Sequence, residues 1–123
     1  MRAYNVAFVV AALVGSIFGC NNDKPLVSGA IKGRLDAALA ITDMSKRSDA
    51  LARVAEDAGA AGDVDVAKQA IDNITDVSKR SDTASAVALK LAEAGKTAEA
   101  TEIAKKITDV SKRNAVLAKL AKG

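Results

Sequence analysis

Three serines, each followed directly by a lysine and an arginine, are the residues of this chain that come nearest to a catalytic arrangement. They are Ser45, Ser78 and Ser111. A lysine can activate a serine, but the chain has no histidine and only one cysteine, so Ser–His pairs, Cys–His pairs and the common zinc sites are excluded. Three copies at a regular interval are also what a repeated helix start would give. The sequence therefore predicts no enzyme, no bound metal and no cofactor.

The serines belong to a seven-residue block, Ile-Thr-Asp-x-Ser-Lys-Arg, that occurs three times. The blocks span positions 41–47, 74–80 and 107–113, so the same 33-residue period separates them both times. A period of this length is typical of helical-hairpin repeats, whose units bury their apolar faces only by stacking on one another. Residues 48–80 and 81–113 align as two copies of one unit. We therefore expect two full repeats with a half repeat at each end, all within residues 30–123.

Between the blocks, apolar residues recur at the spacing of one helix face. We expect the core to consist of Ile31, Leu35, Ala38, Ile41, Leu51, Val54, Ala55, Ala58, Ala67, Ala70, Ile71, Ile74, Ala84, Val87, Ala88, Leu91, Ala100, Ile103, Ala104, Ile107, Val116, Leu117, Leu120 and Ala121. Gly62 and Gly95 should end the first helix of each repeat. Alanine lets helices approach closely but buries little area, so the few isoleucines should carry much of the stability. The predicted fold class is all-α.

Small residues at fixed places in both repeats resemble the tetratricopeptide pattern. That pattern has a small residue in the first helix, a glycine at the internal turn and an alanine near the start of the second helix. The matching residues are Ala55, Gly62 and Ala67, and again Ala88, Gly95 and Ala100. The family's large aromatic positions and the proline between repeats are absent here. The resemblance implies a short right-handed α-solenoid of antiparallel helix pairs, and related helical-hairpin families imply the same.

The first nineteen residues differ in character from the rest of the chain. An apolar run ends at Cys20, with Ile17 three residues before this cysteine and Gly19 directly before it. The run is shorter than the roughly 20 residues that a spanning helix needs, which favours an export signal over residues 1–19. The pattern resembles the lipobox of bacterial lipoproteins, which implies that Cys20 is lipidated; the alternative is a buried or incidental thiol. Residues 20–29 are polar, contain Pro25, and are interpreted as a flexible tether.

The repeated charges have two interpretations. In the first, the block starts a helix: an aspartate or serine caps it by accepting backbone N–H bonds, and the arginine four residues after the aspartate pairs with that aspartate. The candidate caps are Asp43, Asp76, Asp109, Ser78 and Ser111. In the second, stacking aligns the cations into a basic ladder with steps of about 10 Å, facing an acidic partner or anionic lipid. The ladder residues are Lys46, Arg47, Lys79, Arg80, Lys112 and Arg113.

These features favour a binding protein of the bacterial cell envelope. The first hypothesis is a lipid-anchored scaffold that binds an unknown envelope protein, or another copy of itself through the ends of the stack. The alternative is a structural lipoprotein whose basic ladder lies against the membrane. Nucleic acid is not an expected partner, because Tyr4, Phe8 and Phe18 all lie in the signal and leave no ring for base stacking. Asn21 after the cysteine implies, by the same lipoprotein resemblance, the outer membrane.

Overall fold

The computed structural model describes the backbone of residues 19–123 and the side chains of residues 29–123. Residues 1–18 lie outside this part, and with them almost all of the predicted signal peptide. The described residues form six helices and no strand, so the all-α prediction is confirmed for this part of the chain. The helices are α1 (Gly19–Leu39), α2 (Met44–Ala61), α3 (Val64–Asp72), α4 (Val77–Glu93), α5 (Thr97–Ala104) and α6 (Val110–Lys122).

The core lies where the helical spacing predicts it. In α2 to α5, every residue that the apolar stripes single out is buried, and so are the isoleucines that follow α3 and α5, Ile74 and Ile107. The exceptions are at the two ends of the molecule, where Ile41 and Leu117 are half-buried and Ala121 is exposed. Incomplete burial of the apolar stripes is therefore confined to the first and last helices and the residues next to them. Most of the core residues are alanine, valine or isoleucine.

Helices pack with their neighbours along the chain and also with the helix two places on. Helix α2 contacts α3 and α4, α4 contacts α5 and α6, and α1 contacts α2 and α3. The approach between α2 and α4 is close at Gly59, where an added Cβ atom would lie 3.0 Å from Cγ1 of Val87. Small side chains at this crossing let the two helix axes approach each other.

Glycines end the first helix of both pairs, as the sequence predicts. Gly62 and Gly95 have φ angles of 77° and 81°, a left-handed conformation that glycine adopts without steric cost. After Gly62, the side chain of Asp63 accepts a hydrogen bond from the backbone N–H of Val66 and caps α3. After Gly95, Lys96 occupies the same position and makes no side-chain cap.

Residues 20–29, which the sequence analysis interprets as a flexible tether, belong to α1 in the structure. The prediction was drawn from Pro25 and from the missing apolar period. Gly29 and Ala30, at the end of this segment, are exposed. Helix α1 ends at Leu39, just before the first block.

Candidate functional site: the block edge

The three copies of the repeated block lie where α2, α4 and α6 begin, and we call this side of the molecule the block edge. An aspartate is the N-cap of each of these helices. Oδ1 of Asp43, Asp76 and Asp109 accepts a hydrogen bond from the backbone N–H three residues on, at 2.9, 2.9 and 3.0 Å. Ser78 and Ser111, the other predicted caps, are the second residues of α4 and α6 and are not N-caps. The aspartate two residues earlier already fills that position.

The arginine of each block binds a backbone carbonyl. One guanidinium nitrogen donates to the carbonyl oxygen of the isoleucine six residues earlier. The pairs are Arg47 with Ile41 at 3.2 Å, Arg80 with Ile74 at 3.5 Å, and Arg113 with Ile107 at 3.3 Å. These carbonyls lie just after α1, α3 and α5, where a helix leaves acceptors without intrahelical donors. The predicted arginine–aspartate pair inside the block does not form among the described residues, because the carboxylate is turned toward the helix N–H groups.

The lysine of each block reaches the preceding unit. Nζ of Lys79 binds the carboxylate of Asp49, and Nζ of Lys112 binds that of Asp82. The hydrogen bond from Lys79 lowers the pKa of Asp49, and the hydrogen bond to Asp82 raises the pKa of the Lys112 ammonium. Lys46 makes no ion pair with any residue of the described part. The second and third blocks are thus tied to the unit before them.

A hydroxyl pair between a buried serine and an exposed threonine accompanies each of these ion pairs. Oγ of Ser48 lies 3.2 Å from Oγ1 of Thr75, and Oγ of Ser81 lies 2.8 Å from Oγ1 of Thr108. Both serines are 2% exposed. Ser81 also accepts a hydrogen bond from the backbone N–H of Thr108 at 3.3 Å. Buried polar groups need such partners, so these pairs fix how far one unit can slide along the next.

The predicted basic ladder is present as a row of residues, but most of its charge is compensated. Five of its six cations bind a carboxylate or a carbonyl, and only Lys46 has no such partner in the described part. The three capping aspartates, together with Asp49 and Asp82, bring five carboxylates to the same edge. Six cations beside five carboxylates do not make a strongly basic surface.

Exposed apolar side chains on the block edge were missed by the sequence analysis. Met44, Val77 and Val110 fill the variable position of the block and are 57%, 54% and 56% exposed. Each is the first residue of its helix. The sequence does contain a signal for them, because the variable position of the block is apolar in all three copies and lies outside the predicted core stripe. The same kind of exposed side chain therefore recurs at the start of α2, α4 and α6.

A groove of about 660 Å³ runs between α2 and α4 and reaches the block edge. We call it the α2–α4 groove, and its lining is Asp49, Ala52, Arg53, Glu56, Asp76, Ser78, Lys79, Asp82, Thr83 and Ala86. Glu56 forms a 3.8 Å ion pair with Lys90. Ser78 and Lys79 share the groove, but the ammonium of Lys79 forms an ion pair with Asp49. The arrangement suits binding of a polar surface.

No cluster of three or more potential metal ligands occurs among the described side chains. None of the helices formed by residues 19–123 combines the length and the hydropathy that a bilayer crossing requires. Comparisons of the chain with protein-family models, with curated proteins and with solved structures find no match.

Proposed function

We propose that this protein is a lipid-anchored scaffold of the bacterial cell envelope, built as a short right-handed α-solenoid of tetratricopeptide-like helix pairs. Its role is to bind another envelope protein. The proposal takes the signal over residues 1–19 and lipidation of Cys20 from the sequence. The repeated contacts between successive units support the stacked arrangement, because the same ion pair and the same hydroxyl pair recur one repeat further along the chain.

The observation that carries the proposal is the α2–α4 groove beside the block edge. Its walls belong to two different units that are held in register by the Lys79–Asp49 and Ser48–Thr75 pairs. A groove with fixed walls requires little ordering when a partner binds, which favours affinity. Exposed apolar side chains at the edge, such as Val77, contact water in the free protein. A bound partner would bury this apolar surface. This combination of ordered charges and exposed apolar groups fits a protein surface.

The length of α1 supports a scaffold that points away from its own membrane. Helix α1 has 21 residues, which at 1.5 Å per residue makes it about 30 Å long. Cys20 lies in its first turn, and the first block follows its last turn. A lipid on Cys20 would hold the block edge well beyond the Debye length of about 8 Å at physiological ionic strength. The block edge would then be presented to partners in the envelope.

The test is photo-crosslinking of the full chain in living cells. A photoreactive amino acid is placed at Ala52 in the α2–α4 groove, at Val77 on the block edge, and at Gln69 on the exposed side of α3 as the control. We expect a discrete protein adduct from Ala52 or Val77 that is absent from Gln69. Equal adducts at all three positions, or none at any, would contradict the proposal. The position that reacts identifies the binding surface.

The membrane-associated alternative is favoured by one observation, the exposed row of Met44, Val77 and Val110 beside the block lysines. Apolar and basic side chains together suit an anionic lipid surface. Flotation of the full chain with anionic vesicles tests it, with all three residues changed to serine as the matched variant. Binding that weakens with salt and with the serine changes would favour a lipid-facing edge. Binding that is indifferent to both would remove this alternative.

A further inference from the structure

A mainly apolar groove of about 270 Å³ lies at the N-terminal end of the molecule, between α1 and α2. We call it the end groove, and it is lined by Arg34, Ala37, Ala38, Ile41, Ala50, Arg53 and Val54. Ala37 and Arg53 are exposed, and Ile41 and Ala50 are half-buried. The groove is therefore open to solvent.

The same groove exists twice inside the molecule, and each time a helix fills it. The positions one repeat period after Ala37, Ile41 and Ala50 are Ala70, Ile74 and Thr83. These three residues are 0%, 0% and 4% exposed. Helix α2 packs there, against both α3 and α4, and one period later α4 packs against both α5 and α6. The end groove thus has the shape of a site for a helix that starts with the repeated block.

Helix α6 has a free face of the matching kind. It starts with the third block and packs on α4 and α5 through Val116 and Leu120. Its residues Asn114, Leu117 and Ala121 correspond to Ser81, Ala84 and Ala88 of α4, the face that α4 buries. In α6 the same positions are exposed, half-buried and exposed. One end of the molecule offers a groove and the other offers a helix of the type that fills it.

We propose that α6 of one copy docks into the end groove of a second copy, so that copies join head to tail. The inference rests on the stacked arrangement of the proposed function, but on neither its lipid anchor nor its partner. The contact joins two different surfaces, so it leaves a free groove and a free helix on every assembly. Such contacts give open chains rather than closed dimers.

The repeat period fixes the register of this junction. In each internal junction the serine of one unit meets the threonine 27 residues on. At the junction between copies, Asn114 takes the place of the serine and Thr42 of the second copy that of the threonine. Thr42 is exposed and makes no hydrogen bond through its hydroxyl within the described residues. An asparagine amide can donate to that hydroxyl or accept from it.

Charge complementarity supports the same register. Within the chain, Glu56 of α2 pairs with Lys90 of α4 at 3.8 Å. The equivalent residues at the junction are Lys122 of one copy and Asp57 of the second, so the signs are exchanged and the attraction is kept. A charge exchange that preserves pairing is what two matched surfaces require.

Two residues oppose the contact and keep it weak. Arg34 stands where the internal junctions have the buried Ala67 and Ala100, and it binds Asp57 at 2.6 Å. Its side chain must swing outward before α6 can enter. Lys46 would meet Ala115, where the internal lysines meet Asp49 and Asp82. Removal of either obstacle should strengthen the assembly.

The test is disulfide trapping in the full chain, carrying Cys20→Ser so that every bond formed uses introduced cysteines. The junction variant carries Thr42→Cys and Asn114→Cys. The internal control carries Ser81→Cys and Thr108→Cys, whose native oxygens are 2.8 Å apart. Mild oxidation should close the control within one chain and should link the junction variant into a ladder of dimers, trimers and longer species. The two single variants, Thr42→Cys and Asn114→Cys, can give dimers at most.

The outcomes separate the assembly from the fold on which it rests. If the control closes and the junction variant stays monomeric, head-to-tail docking is wrong while the stack stands. If the control also fails to close, the stacked arrangement is wrong, and the inference falls with it. Single variants that form dimers as readily as the junction variant forms its first intermolecular bond would also overturn the proposed register.

Sedimentation of the full chain in mild detergent gives a second reading through the opposing residues. Arg34→Ala and Ala115→Asp should each strengthen self-association severalfold. Lys122→Asp should weaken it, and Asp57→Lys should restore it in the same chain. An Arg34→Ala chain that sediments as the wild type does at every concentration would contradict the proposal.

Discussion

The block edge and the opposite side of the molecule, where Gly62-Asp63 and Gly95-Lys96 join the helices of each pair, differ in how strictly they repeat. The block edge keeps every contact from the second block to the third: the capping aspartate, the arginine on a carbonyl and the lysine on the preceding unit. We call the other side the turn edge. There, only the left-handed glycine is kept, while Asp63 caps its helix and Lys96 does not.

The difference follows from what each edge must join. A turn joins two helices of the same unit, so it needs a sharp change of direction and little else. A block joins one unit to the next, and its side chains must meet partners 27 to 30 residues away. A substitution of one of these block residues therefore breaks a contact with the neighbouring unit. Local geometry therefore governs the turn edge, and register between units governs the block edge.

The largest effect should come from the core beneath the block edge. Ile74 is 0% exposed, whereas its equivalent in the first block, Ile41, is half-buried. Ile74→Ala should lower the free energy of unfolding by about 2 to 5 kcal/mol, because it leaves a cavity between units. Ile41→Ala should cost clearly less. Urea unfolding followed by circular dichroism measures both, and equal losses would mean that the two positions are not equivalent in the way described.

At the turn edge, the expected loss comes from backbone strain alone. Gly95 has a φ angle of 81°, and an added Cβ atom would meet nothing within 4 Å. Gly95→Ala should therefore cost about 1 to 2 kcal/mol, the penalty of the left-handed conformation. Gly33, inside α1, also has open space around it. Gly33→Ala should instead stabilise by about 0.5 to 1 kcal/mol, since alanine favours helix. Thermal unfolding would show shifts of opposite sign; a shared sign would refute the strain argument.

Capping gives a smaller contrast between the edges. Asp76→Ala removes the block-edge cap of α4 and should cost about 1 kcal/mol. Lys96→Asp supplies α5 with the cap that Asp63 gives α3, and should add up to about 1 kcal/mol. Differential scanning calorimetry of the two variants tests this pair. If Lys96→Asp destabilises, the turn edge is more constrained than its variation indicates.

The smallest effect is the pH dependence of the ties between units. The pKa of Asp49 is lowered by Lys79, so the pair stabilises the fold above the ordinary aspartate pKa of about 3.9 and loses this effect as pH falls through the lowered value. The pKa of Lys112 is raised by Asp82, so that pair acts below about 10.4 and is lost as pH rises through the raised value.

Asp49→Asn makes the acid side of this dependence measurable. The variant should melt below the wild type at neutral pH, and the two melting temperatures should converge once Asp49 is protonated. Both pairs are exposed, so the difference should be modest and should shrink in high salt. A difference that persists unchanged in strong acid would show that the amide acts through something other than the lost charge.

The core could be predicted from the sequence because the helical spacing of the apolar residues indicates which side chains face inward. Leu51, Val54 and Ala55 alternate with polar residues at the period of a helix, and every unit meets the same neighbours. The polar ties could not be derived in the same way. Ser48 and Thr75 are far apart in sequence, and their pairing requires the register of two units. The alignment of the two repeats matches Ser48 with Ser81 and Asp49 with Asp82. Equivalent positions alone, however, do not indicate which residues they contact.

The extent of α1 shows the other limit of such reading. Residues 20–29 show no apolar period in the sequence, so composition was the only guide to their structure. The role of the block arginines was missed for a related reason. Arg80 is four residues from Asp76 and six from Ile74, whose carbonyl oxygen it binds. It binds that carbonyl because the carboxylate of Asp76 accepts from a backbone N–H group of the helix.

Three kinds of tie between the repeats each span a fixed number of residues: 27 for the hydroxyl pair, 30 for the block ion pair and 34 for Asp72 with Lys106. A duplication of the coding sequence that adds one whole repeat would therefore leave each existing pair intact and create one more of each kind. An insertion of any other length within a unit would separate donors from acceptors. The length of this protein can thus change during evolution in steps of one whole repeat, and each step would move the two ends further apart without altering the surface between them.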